Sequence, residues 1–143
     1  MSSPQGVLTR IASIDPGFNT GVAIAILHDK ESIKLEKYLL GTFTNEPDAV
    51  VKLVLTSRST ICLMERKPRN AANSKTVPNE KIKAALGNLK IVEIGPGLWK
   101  PFMHSRPAKL EPWAPETQHE KDAMAILFYF LQTQNPKRKV KYV

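Results

Sequence analysis

The chain has 143 residues, 42% of them hydrophobic, one cysteine and a formal net charge of +8. That length suits a single domain with a sizeable core, and the ordinary hydrophobic share argues for a globular rather than a disordered chain. A lone cysteine, Cys62, excludes an internal disulfide and fits a reducing interior such as a cytoplasm. The longest apolar run, Ala123 to Leu131, is too short to span a membrane, and the N-terminus carries no basic flank leading into an apolar stretch. No membrane partner and a cytoplasmic location are therefore expected.

The positive charge is uneven. Between Glu65 and Leu110 stand ten basic residues (Arg66, Lys67, Arg69, Lys75, Lys81, Lys83, Lys90, Lys100, Arg106 and Lys109) against three acids, Glu65, Glu80 and Glu93. Such a cluster on a small domain suits a phosphate polymer.

Residues 8–15 and 22–28 read as consecutive apolar strands joined by a turn over Pro16 to Gly21. A polar turn, His28 to Ser32, leads into a third strand, in which Ile33 and Leu35 alternate with Lys34 and Glu36. Asn45 is placed to cap a helix with Pro47 in its first turn, and Val50, Val51, Val54 and Leu55 supply the apolar spacing. Ser59 to Glu65 is a short buried strand that ends, like the first, on an acid.

The segment Arg66 to Val77 is basic, polar and free of aromatics, and reads as a loop. A short helix opens at Pro78-Asn79-Glu80 and closes at Gly87-Asn88, followed by a strand from Lys90 to Ile94. Residues 95–116 hold five prolines and read as an irregular surface crossing. Thr117 and Glu120 stand in capping-box register ahead of a last helix with a stripe of Ala123, Ile126, Leu127, Phe130 and Leu131. The basic stretch after Pro136 cannot continue that helix.

The order β-β-β-α-β-α-β-α implies a mixed sheet with helices on its faces. In it the crossover sets the ends of the first and fourth strands side by side, bringing Asp15 and Glu65 together. His119 and Asp122, three apart, share one face of the last helix's first turns. Two-metal phosphodiester hydrolysis uses such a set, anionic ligands on rigid elements holding two divalent cations roughly 4 Å apart. Glu120 belongs to the capping box instead.

Ile14-Asp15-Pro16-Gly17 with Thr20-Gly21, the strand Ile61 to Glu65, Pro96 with Trp99-Lys100, and His119-x-x-Asp122-Ala123-Met124-Ala125-Ile126 span most of the chain. In these residues and their order the chain resembles the RuvC-type Holliday junction resolvases of the RNase H-like superfamily, compact phage-encoded members in particular. The resemblance implies an α/β, RNase H-like five-stranded mixed sheet, order 3-2-1-4-5, with helices on both faces. It implies a single nuclease domain over residues 1–135 and a basic C-terminal tail over 136–143. Asp15, Glu65, His119 and Asp122 would be the catalytic metal ligands for two Mg²⁺ ions, with Mn²⁺ also active, and Lys100 the lysine near the scissile phosphate. Arg66, Lys67, Arg69, Lys75, Lys81, Lys83, Lys100 and Arg106 would contact DNA. The implied assembly is a homodimer that nicks opposing strands of a four-way junction.

The chain departs from the family in its proline-rich 101–116 region and in lacking an aromatic after Glu65 that could stack on junction bases. Trp99 and Trp113 read either as core or dimer contacts or as base-stacking groups. The basic tail reads either as a solvated terminus or as a phosphate contact. A cutter of RNA–DNA hybrids and a basic DNA-binding module without turnover remain as alternative functions.

Overall fold

The computed structural model describes residues 7–29, 32–66, 80–104 and 113–143. Its elements are β1 (Val7–Asp15), β2 (Asn19–Asp29), β3 (Ile33–Thr44), α1 (Pro47–Thr56), β4 (Ile61–Glu65), β5 (Lys90–Ile94), α2 (Pro96–His104), α3 (Gln118–Gln134) and β6 (Val140–Tyr142). A short helical segment at 80–85 lies between β4 and β5.

The strands form one mixed sheet in the order β5-β4-β1-β2-β3-β6. Five of them stand in the expected order, and the sixth is a correction to the expected five. β6 comes from the segment read as a basic tail and pairs in parallel with β3, Val140 opposite Ile33. Alternation explains it: Val140 is buried and Tyr142 packs on Phe128, while Lys141 between them points outward. Arg138 clasps Asp29 at 2.9 Å, and Gln132 donates to the Tyr142 hydroxyl. The end of the chain is thus a sheet edge, not a free arm.

The period of two along each strand divides the core into two layers. Ala12, Ile14, Val22, Ile24, Cys62 and Met64 face α1 through Val50 and Val54, and face the 80–85 segment through Ile82. Ile11, Ala23, Ala25 and Leu63 face α3 through Ala123, Met124, Leu127 and Phe128. Helices cover both faces, which is why β1 and β2 read as nearly continuous apolar runs.

Three local expectations are revised. Asn45 does not cap α1; it adopts φ 52° and its N–H donates to the Phe18 carbonyl at 2.7 Å, leaving Glu46 at the cap position without a side-chain cap bond. Residues 96–104 are helical, because Pro96 sits at the helix start, where a missing N–H costs nothing, and Trp99 anchors the helix in the core. Trp99 and Trp113 are both buried, Trp113 edge-on to Phe128, so both belong to the core and neither can stack on bases.

Cys62 is sealed in the α1 layer, and burial pushes its thiol from 9.0 up to about 12. Between those values the unfolded chain has released the proton and the folded chain still holds it. Stability therefore falls as pH rises through that window, by at most about 1.4 kcal/mol per pH unit. Denaturant unfolding from pH 8 to 11 should show a shallower decline for Cys62→Ala than for the unsubstituted chain; parallel slopes would contradict this origin.

Candidate functional site

β1 and β4 run parallel in a register that sets Ile11 opposite Ile61 and Ile14 opposite Met64. One residue further on, each strand ends on its acid, Asp15 or Glu65. Ile14 and Met64 face α1, so alternation turns both acids toward α3. Asp15 is 9% exposed and Glu65 8%. Carboxylates so far from water persist only where cations or hydrogen-bond donors meet them.

Two contacts align α3 with these acids. The Ser13 hydroxyl, one alternation before Asp15 on the same face, donates to the Ala123 carbonyl at 2.6 Å. Gly21, which pairs with Asp15 across β1 and β2, lies directly beneath the helix start; a Cβ there would stand 1.9 Å from the His119 carbonyl oxygen. Only a glycine lets the strand approach so closely.

The helix start is built as the sequence pattern requires, with one change. The Thr117 Oγ1 accepts from the Glu120 N–H at 3.1 Å, the first half of a capping box. Glu120 does not close the box onto Thr117; its Oε1 accepts from the Glu116 N–H, and its Oε2 from the Thr42 hydroxyl on β3. Thr42 also meets the Thr117 hydroxyl at 2.6 Å. Glu120 is thereby committed to structure, tying α3 to the sheet, while His119 and Asp122 remain on the cleft side. Gln118 donates to Asp122 Oδ1 at 2.8 Å and steadies it.

The result is a cleft of about 370 Å³ lined by Asp15, Pro16, Gly17, Phe18, Asn19, Glu65, Lys100, His119 and Asp122. All of the expected catalytic residues therefore line one cavity. Lys100 reaches it from α2, its ammonium 5.5 Å from the centre of the buried Trp99 ring. Hard carboxylate oxygens and one imidazole fit Mg²⁺ or Mn²⁺ in kind. Among the described residues, no three His, Cys, Asp or Glu side chains are gathered closely enough to hold a metal without moving.

The expected DNA-contacting residues divide. Lys100 lines the cleft, and Arg66, just beyond β4, is exposed. Lys83 is engaged by Glu93 at 2.9 Å and Glu80 at 3.7 Å, and its pKa is raised, first through the Glu93 hydrogen bond. Lys81 lies 3.6 Å from Asp48 and lines a separate hollow with residues 45–49. Both flank Ile82, which packs on the α1 side of the sheet, opposite the face to which the acids turn. Lys67, Arg69, Lys75 and Arg106 lie outside the described residues. Sequence reasoning missed Ser13, Thr42 and Phe18; a polar residue amid an apolar strand was the available signal for Ser13.

No family model matches the chain, and no curated protein matches it in sequence. Its fold is that of the RuvC-type resolvases. Thermus thermophilus RuvC superposes with a TM-score of 0.66 at 15% identity, covering 92% of this chain and 99% of that one. The yeast mitochondrial Holliday junction resolvase Ydc2 gives 0.63 at 12% identity, over 88% of this chain and 80% of that one. The fowlpox virus resolvase bound to Holliday junction DNA gives 0.55 at 14% identity, over 86% and 99%. Among the described residues no helix is long and apolar enough to cross a membrane.

Gly21→Ala should force the helix start away from β2 and cost about 1–3 kcal/mol. Thermal unfolding should show a lower Tm; an unchanged Tm would mean that the strand and helix separate freely.

Proposed function

We propose that this chain is a metal-dependent endonuclease that resolves four-way DNA junctions by paired nicks. The observation that carries the reading is the meeting of Asp15, Glu65, His119, Asp122 and Lys100 on one cleft, from two strand ends and two helices. The fold shared with resolvases, of which Thermus thermophilus RuvC and the fowlpox enzyme have structures with Holliday junction DNA, supports the substrate class.

In this reading Asp15 and Glu65 are the anchoring ligands, fixed by strand register and low exposure, while His119 and Asp122 approach from the helix. Binding a common ion would draw these four side chains closer together. When bound, divalent cations would polarise the phosphodiester and make water a competent nucleophile. Lys100, on the cleft wall, would meet the phosphate oxygens and offset the charge that builds on them. The capped helix start keeps His119 and Asp122 on the cleft side of α3. A second copy of the chain would supply the opposing nick, so the active assembly is a homodimer, placed in a DNA-containing compartment such as the cytoplasm.

Asp15→Asn should abolish Mg²⁺-dependent nicking of an end-labelled four-way junction and leave its binding within about threefold, because the exposed basic residues are untouched. Matched linear duplex and RNA–DNA hybrid serve as competitors. Symmetrical nicks on the junction alone are expected. Preferred cutting of hybrid would assign the site to a different nuclease, and tight binding without cleavage in Mg²⁺ or Mn²⁺ would make the chain a binding module.

A further inference from the structure

Phe18 carries the one apolar aromatic ring among the described residues lining the cleft, and it is 58% exposed. Exposure of a single apolar side chain is ordinary. Its setting is not. The turn that carries it is clamped at three points: the Phe18 carbonyl accepts from the Asn45 N–H at 2.7 Å, the Gly17 carbonyl accepts from the Thr20 hydroxyl at 2.9 Å, and Asn19 Oδ1 accepts from the Thr44 hydroxyl at 2.7 Å. The phenyl ring joins neither core layer. The chain therefore holds an aromatic ring at the mouth of a polar cleft on a backbone that cannot withdraw it.

Resting on the nuclease reading, we propose that Phe18 stacks on a nucleobase next to the scissile phosphate and so positions the strand for cleavage. Phe18 stands three steps along the chain from Asp15, a backbone reach of at most about 11 Å. At about 3.4 Å per nucleotide along a strand, that reach covers about three nucleotides. A strand whose phosphate lies between the acids and Lys100 thus presents its neighbouring bases within range of the ring. Charged groups of the cleft address phosphates; the phenyl addresses the one part of a nucleotide that is apolar and planar. Such a contact tolerates any sequence, since every base has a π-face. The ring is most useful where bases are unstacked, as at a branch point. Trp99 and Trp113, being buried, cannot share this role.

The test uses the Asp15→Asn chain as the uncleaving parent, with junctions carrying 2-aminopurine at each of the three positions on either side of the branch. In the parent, binding should quench the probe at one or two adjacent positions. Adding Phe18→Ala should remove that quenching and weaken junction binding roughly 5- to 150-fold, the span of one base–aromatic contact. The slope of log K against log salt should be unchanged, because no phosphate contact is lost. Phe18→Trp should keep both the quenching and the affinity. Equal quenching and affinity in Phe18→Ala, or a loss that Phe18→Trp shares, would overturn the proposal. So would a changed salt slope, which would indicate a disturbed turn. A parent that binds no branched DNA would instead sink the junction reading itself, an outcome distinct from all of these.

Discussion

The cleft depends on the parallel register of β1 against β4, which carries Ile14 opposite Met64 and ends both strands on an acid one residue later. A slip of one residue in either strand would turn its acid into the α1 layer and its apolar neighbours toward α3. The register is held by burial on both faces: Ala12, Ile14, Cys62 and Met64 on one, Ile11 and Leu63 on the other. The hydrophobic core thus sets where the polar chemistry stands, and the site needs no separate scaffold.

Given that register, the remaining task is to bring one helix end to the same spot, and short polar contacts accomplish it. Ser13 grips the Ala123 carbonyl, Gly21 admits the helix start against β2, and Thr42 with Glu120 ties the first turn to β3. Each contact comes from a different strand, so the helix is located by three adjacent points. The strongly buried Glu120 is spent on this, which separates it from Asp122 two residues on, although both are acids at one helix start. At the other side of the sheet the basic end of the chain closes the β3 edge through β6, which blunts an edge otherwise open to pairing.

Much of this was legible in the sequence because alternation and apolar runs are local signals. The strands around Asp15 and Glu65, the Thr117 cap and the shared helical face of His119 and Asp122 follow from spacing alone. β6 was hidden because three residues among lysines give too short a pattern to outweigh their charge. The helix at 96–104 was hidden by its prolines: Pro96 costs nothing at the helix start, while Pro101 inside the helix gives up a backbone hydrogen bond that burial of Trp99 offsets. Asn45 has the composition of a cap, yet it completes the β2–β3 ladder, a tertiary demand that no window of sequence contains. Similarly, Lys81 and Lys83 count as basic residues in any tally of charge, but the sheet places them on the face away from the cleft.

The central proposal is that Asp15, Glu65, His119 and Asp122 together hold divalent cations in the cleft. Its most direct test is a Mn²⁺ titration of the isotopically labelled chain, followed by paramagnetic broadening of backbone amide signals. The account predicts that broadening begins at Asp15, Gly17, Glu65, His119 and Asp122, and that Asp15→Asn suppresses it at all five. Broadening that centres instead on the hollow at Glu46 and Asp48, or that spreads evenly over the surface acids, would contradict it.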